Sequence, residues 1–215
     1  MRPARPAASM RAQHPGCREN DNRFHVHPGC LLLKPKNELL GVASDAAPTT
    51  ATALLQGLAP VAGPLTRLLV LGSFPGLASL RAQQYYGHPR NQFWPILAAL
   101  WQVDLARLPY ADRLAVAQAH GLGLWDVYAA CRREGSLDSA IQAAVPNDLA
   151  SLAARLPQLR AIAHNGGESA RARRVTEALG RPVYRLPSTS PTHASWSFER
   201  KLAAWREVLI AHGLL

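Results

Sequence analysis

Cysteine is scarce in this chain of 215 residues: three are present, Cys17, Cys30 and Cys131, and no two of them form a CxxC pair. That spacing argues against a structural zinc site and against a disulfide framework, and three thiols cannot assemble a four-cysteine iron–sulfur cluster. No metal is expected. Long apolar runs are also missing. Leu31-Leu32-Leu33 is followed at once by Lys34, so the sequence offers neither a membrane span nor a signal-peptide core. A soluble protein of the cytoplasm is the expectation. Lysine is limited to Lys34, Lys36 and Lys201, none of them in a motif, which leaves no candidate amine for Schiff-base chemistry. Acidic side chains are few as well: 14 Asp and Glu stand against 24 Lys and Arg, a formal net charge of +10. Such an excess suits a polyanionic partner through phosphate neutralisation and counterion release, and nucleic acid is the leading candidate. On charge alone, arginines that merely solvate helix faces explain the composition equally well.

Residues 1 to about 50 mix Pro, Gly, Asn and charge without apolar periodicity and are expected to be a disordered N-terminal extension. The patterned chain runs from 51 to 215 and is read as one domain. Arg67 to Phe74 is a compact apolar run stopped by Pro75-Gly76, which predicts a buried strand delivered to a tight turn. Further strands are expected at Leu124 to Val127, Arg160 to Asn165 and Pro182 to Leu186. Helical spacing is found at 91–103, 107–120, 149–156, 168–179 and 197–212, the last with Phe198, Leu202, Trp205 and Leu209 on one face. Strands alternating with helices predict an α/β fold whose mainly four-stranded parallel sheet is covered on both faces. Ligands of such sheets bind at the carboxyl ends of the strands, so the segments after the strands are where chemistry belongs.

Three segments there carry unusual residues. Gly72-Ser73-Phe74-Pro75-Gly76 combines a hydroxyl with residues that let a backbone come close. Tyr85-Tyr86-Gly87-His88-Pro89-Arg90-Asn91-Gln92-Phe93-Trp94 packs four aromatics, an imidazole, a guanidinium and carboxamides into ten positions. Leu186-Pro187-Ser188-Thr189-Ser190-Pro191-Thr192-His193-Ala194 precedes the terminal helix. Each has a plain structural reading. Gly and Pro serve turns, Asn91 can cap the helix beside it, Tyr86 can be half-buried core, and a Ser/Thr/Pro cluster can be an ordinary turn.

In order and spacing, GSFPG, YYGHPRNQFW and LPSTSPTHA together resemble the hypoxanthine-DNA glycosylases, also called DNA-deoxyinosine glycosylases, of the uracil-DNA glycosylase superfamily. The resemblance spans about residues 56–210. It is similar, more distantly, to the mismatch-specific uracil and thymine glycosylases. What it implies is a three-layer α/β/α sandwich without a cofactor, a monomer acting on double-stranded DNA with a deaminated base, and a site for an everted nucleotide. Tyr86 matches the stacking aromatic, with Gly72 and Phe74 beside the base. Asn91 matches the Asn that aims the attacking water, an amide oxygen accepting from it. Ser73 stands where the mismatch-specific relatives place a water-orienting Asn, which leaves its part in catalysis open, and His88 is expected to position Asn91 or a phosphate. Asp126 matches a base-reading Asn, and as an ionised carboxylate it could accept the N1–H of hypoxanthine; an N-cap or a salt bridge is its other reading. Ser188, Ser190, Pro191, Thr192 and His193 fit the late loop that grips phosphates and fills the gap in the duplex. Two other functions stay open: excision of mispaired uracil or thymine, and a DNA-binding module that has kept the fold without catalysis.

Overall fold

The computed structural model describes residues 53–215, so the expected N-terminal extension lies outside the described residues. The elements in chain order are β1 (Leu54–Gln56), β2 (Leu68–Gly72), α1 (Leu77–Ala82), α2 (Phe93–Trp101), α3 (Tyr110–Ala119), β3 (Leu122–Asp126), β4 (Tyr128–Arg132), β5 (Gln142–Pro146), α4 (Leu149–Ala154), β6 (Ala161–Asn165), α5 (Arg173–Glu177), β7 (Val183–Leu186) and α6 (Phe198–Ala211). Short 3-10 turns at Leu105–Arg107, Asp138–Ala140 and Ser169–Ala172 join them.

The architecture is an α/β sandwich built on a four-stranded parallel sheet in the order β3-β2-β6-β7. These are the four strands expected from the sequence. Leu68, Leu69, Val70 and Leu71 are fully buried, as a central parallel strand covered on both faces demands. The register sets Gly72 opposite Asp126 and Leu71 opposite His164, which brings the ends of β2, β3 and β6 level. A second sheet, antiparallel β1-β4-β5, was not expected. Its strands are short, β1 and β5 are largely exposed, and the β4–β5 register is irregular, so the sequence lacks the alternation that marks a half-buried strand.

The helix boundaries follow local chemistry. Pro95 falls in the first turn of α2, where a missing N–H costs nothing. Gly121 takes the left-handed conformation after α3, with φ 77°, and turns the chain into β3. Ser197 caps α6 by accepting from the Arg200 N–H at 3.3 Å. The helix expected over 168–179 is interrupted: residues 169–172 wind as a 3-10 turn before α5. Aromatic packing joins α2 to α6, with Phe93 edge-on to Trp205 at 5.6 Å, and Trp101 Nε1 donates to the Leu214 carbonyl at 2.9 Å. Trp205 and Leu209 are fully buried, in line with the apolar face read from α6. Arg171 and Arg173 are exposed and pair with Glu168 and Glu177.

Candidate active site

Three loops at the carboxyl end of the parallel sheet close around one cavity of about 210 Å³. The first wall is the turn after β2. Gly72 is required there, because a Cβ would run into Asp126 Oδ1. The turn is fastened from outside the sheet: Ser73 Oγ donates to Asp138 Oδ1 at 2.7 Å, the Leu77 N–H to Ser136 Oγ at 3.0 Å, and Arg133 Nη2 to the Pro75 carbonyl. The Arg133 guanidinium also lies 5.1 Å from the centre of the Phe74 ring.

The second wall is the segment before α2, where the two adjacent tyrosines have different surroundings. Tyr85 is locked into the core: its N–H donates to Tyr110 Oη at 2.8 Å, its hydroxyl reaches the carbonyls of Leu58 and Ala59, and its own carbonyl accepts from Trp94 Nε1 at 3.0 Å. Tyr86 adopts the left-handed conformation, φ 56°, which costs a non-glycine residue on the order of 1 kcal/mol. That conformation lays its ring on Phe93, with centroids 3.8 Å apart and planes 21° from parallel. Tyr86 Oη is buried without a hydrogen bond of normal geometry, though the Asn165 carboxamide is near enough to temper its raised pKa. Burial raises the pKa of both phenols, reinforced by the nearby Asp126 charge. Asn91 lines the cavity while its Oδ1 accepts the Phe93 N–H at 3.0 Å. The oxygen expected to aim water therefore already accepts a donor at the start of α2, although the N-cap position itself is Gln92 and not Asn91. His88 is also on the wall, its Nδ1 accepting the Arg90 N–H at 3.1 Å.

The third wall is the late loop between β7 and α6. Asn165 at the end of β6 grips it twice: its Oδ1 accepts the Thr189 N–H at 3.0 Å and its Nδ2 donates to Thr189 Oγ1 at 2.9 Å. The Thr189 carbonyl accepts the Gln92 N–H at 2.9 Å, so the second and third walls are hydrogen-bonded to each other. Lys201 of α6, 2% exposed, holds the same junction; its Nζ donates to Gln92 Oε1 and to the His193 carbonyl, both at 2.8 Å. Burial lowers its pKa. Further along the loop, Ser190 Oγ and Thr192 Oγ1 lie 2.8 Å apart.

Asp126 stands at the end of β3, on the cavity wall and 5% exposed. It neither caps a helix nor joins any salt bridge found among the described residues, and Oδ2 has no hydrogen-bond partner. Its pKa is pushed up to about 7, first by burial and then by the Asp138 charge, with Arg133 opposing.

The sequence profile of the uracil DNA glycosylase superfamily matches residues 60–209, which contain all three walls. The chain belongs to the uracil DNA glycosylase superfamily. Within it, the chain is similar to a protein of Methanosarcina barkeri (strain Fusaro / DSM 804) named hypoxanthine DNA glycosylase, 36% identical over 152 residues, 71% of this chain and 96% of the relative. A protein of the same name from Methanosarcina acetivorans is 35% identical over 153 residues, again 71% of this chain and 96% of the relative. Among solved structures, a solution NMR structure of a Methanosarcina acetivorans protein described as a candidate uracil DNA glycosylase superposes with a TM-score of 0.65 at 33% identity. It covers 73% of this chain and 99% of that one. The chain is thus a DNA glycosylase by family, with the sandwich that the superfamily implies.

Of the residues singled out in the sequence, Gly72, Ser73, Phe74, Tyr86, His88, Asn91, Asp126, Ser188, Ser190, Pro191 and Thr192 all line this same cavity. His193 is not among the lining residues; its ring is part-buried, with Nδ1 unpartnered and Nε2 3.5 Å from Ser195 Oγ. Sequence reasoning missed Asn165, Asp138 and Lys201, and placed Thr189 only as part of the late loop. Asn165 carried a usable signal, since it ends a strand just before Gly166-Gly167, whereas Asp138 lies in an exposed turn that no pattern marks.

Proposed function

We propose that this protein is a monofunctional glycosylase that hydrolyses the N-glycosidic bond of deoxyinosine in double-stranded DNA, releasing hypoxanthine and initiating base excision repair. The observation that carries the reading is the meeting of three sequence-distant loops around a cavity that presents an aromatic plate, Tyr86, beside two unpartnered buried polar atoms, Tyr86 Oη and Asp126 Oδ2. A base everted from the duplex needs such a surface: a face to stack on and polar groups for its edge. The names borne by the relatives at 35–36% identity support hypoxanthine as the base.

In this reading Asn91 fixes the attacking water. Its Oδ1 keeps a second lone pair beyond the bond to the Phe93 N–H, and its Nδ2 hydrogens are free to hold the amide orientation. Positioning of this kind removes the entropy of bringing water to C1′ without requiring a strong base. His88 stands beside Asn91 on the wall and steadies that end of the site; Ser73, committed to Asp138, sets the shape of the turn. Ser188, Ser190, Pro191 and Thr192 face the DNA, with hydroxyls suited to phosphate oxygens, and His193 follows them toward the duplex. The protein acts as a monomer without a cofactor.

The test is excision from labelled duplexes carrying hypoxanthine, uracil or thymine, with Asn91→Ala as control. Hypoxanthine release that the variant loses supports the reading. Release of uracil or thymine alone would move the substrate, and damage binding without any abasic product would make the chain a binding module.

A further inference from the structure

Asp126 raises a chemical question that base reading alone does not answer. It is 5% exposed, its Oδ2 has no hydrogen-bond partner, and its Oδ1 fills the space that a side chain at position 72 would need. Five groups bear on it from the surrounding elements. Arg133, the one cation among the described residues that acts on it, donates to the Pro75 carbonyl through Nη2 and lies over the face of Phe74; its Nε and Nη1 are buried without partners, and it makes no hydrogen bond or salt bridge to Asp126. Asp138, on the far side of the Ser73 turn, is itself an anion bound to Ser73 Oγ. Tyr85 and Tyr86 couple to it from the second wall, and neither hydroxyl donates to it. His88 lines the same cavity with its Nδ1 already accepting a backbone N–H. An anion at Oδ2 would thus be dry, without a donor and beside another negative charge. A neutral carboxyl on this cavity-lining residue has an O–H that no group of the described residues accepts. Desolvation combined with a like charge keeps such an acid protonated near neutrality, and the group's pKa of about 7 agrees with that placement.

A departing purine needs a proton more than it needs an acceptor. As the C1′–N9 bond lengthens, its electron pair moves into the base, and a carboxylate alongside would oppose that flow, whereas an acid assists it. We infer that Asp126 is a catalytic acid, working in its neutral form to deliver the Oδ2 proton to N7 of the leaving hypoxanthine. In the step, the C1′–N9 bond breaks with its electrons passing to the base, the Asp126 O–H bond breaks and an N7–H bond forms. Hypoxanthine leaves uncharged and Asp126 is left as a carboxylate. Water forms the new C1′–O bond, and the proton it sheds returns to Asp126 through solvent, so the net change is hydrolysis. The inference rests on the deoxyinosine reading of this site and reverses the charge that the sequence suggested for Asp126.

The experiment is single-turnover excision of deoxyinosine from a duplex by the full chain at saturating enzyme, from about pH 5.5 to about pH 8.5. The wild-type rate should be level at low pH and fall tenfold per unit above about pH 7. Asp126→Asn, which can donate a hydrogen bond but no proton, should be slower at pH 6 by about 100-fold and flat with pH, so the two curves converge as pH rises. A wild-type rate that rises with pH through 7 would mean an ionised acceptor, and a level one would mean no titrating acid; either overturns the inference. So does an Asp126→Asn protein, folded by its melting curve, that matches wild type at pH 6. If that variant does not fold, the wild-type profile together with the 13C carboxyl shift of Asp126 decides. Absence of any hypoxanthine release by wild type at every pH is a different failure, that of the proposed substrate.

Discussion

His164 and Asp126 are buried polar side chains on strands that flank β2, and their surroundings differ in kind. His164, fully buried on β6, has both ring nitrogens engaged: Nδ1 lies 2.8 Å from Ser169 Oγ and Nε2 2.9 Å from Thr176 Oγ1. Ser169 Oγ donates onward to the Leu71 carbonyl at 2.7 Å and Thr176 Oγ1 to the Arg173 carbonyl at 3.0 Å, so both hydroxyls that hold the ring are themselves tied to backbone. Burial, with the nearby Arg173 charge, lowers the imidazole pKa to about 4 and keeps it neutral. Asp126 and Tyr86, at the mouth of the same sheet, leave Oδ2 and Oη without partners. A buried polar group with all its bonds made specifies the fold, while one left open costs stability and marks where a ligand completes the set. The satisfied polar cluster and the open one thus lie on the two strands that flank β2.

The largest effect expected is on catalysis. Asn91→Ala should lower single-turnover excision by about 100-fold or more while costing about 1 kcal/mol of stability for the lost bond to the Phe93 N–H. Equal losses in melting temperature and activity would erase the distinction between the two clusters. His164→Ala is the mirror case. Stranding Ser169 and Thr176 and leaving a void should cost about 2–4 kcal/mol in denaturant unfolding, with excision per folded molecule unchanged.

The two clusters also predict opposite pH slopes. Between about pH 4 and 6.5 the unfolded chain binds a proton at His164 that the folded chain refuses, so this group's stability contribution is lost as pH falls. Asp126 has the reverse sign: from about pH 3.8 to 7 the folded chain holds a proton that the unfolded chain releases, so its contribution is lost as pH rises. Relative to wild type, Asp126→Asn should make the unfolding free energy climb more steeply with pH over this range, and removal of His164 should make it climb less. Urea titrations at three pH values measure both.

Smaller changes are expected at the loop junction. Lys201→Met keeps the volume and removes a buried charge, so stability should shift by less than about 1.5 kcal/mol. Freed from Gln92 and the His193 carbonyl, the late loop should bind duplex DNA about tenfold more weakly, read by anisotropy. Tyr86→Phe deletes an unpartnered hydroxyl and should raise stability by a few tenths to about 1 kcal/mol, while slowing excision.

The parallel sheet was legible in the sequence because its strands are continuous apolar runs ended by Gly or Pro, as in Leu68 to Pro75. The cavity was legible because chemistry gathers at the carboxyl ends of such strands, which is where Tyr86, Asn91 and Asp126 meet. The antiparallel sheet was not, since exposed residues such as Gln142 to Pro146 pair through backbone alone. Asp138 and Lys201 were missed for a related reason: their parts depend on contacts 65 and 109 residues away, to Ser73 and Gln92. The raised pKa of Asp126 was not legible because it follows from burial and a neighbouring anion, neither of which spacing reveals.

The central claim is that the open polar atoms receive the everted base. A crystal structure of the protein on a duplex carrying a deoxyinosine analogue with an uncleavable glycosidic bond tests it most directly. Hypoxanthine should lie against the Tyr86 ring, with one of its ring atoms within hydrogen-bonding reach of Asp126 Oδ2. A base bound elsewhere, or stacked in the duplex while Oδ2 and the Tyr86 hydroxyl stay unpartnered, would contradict it.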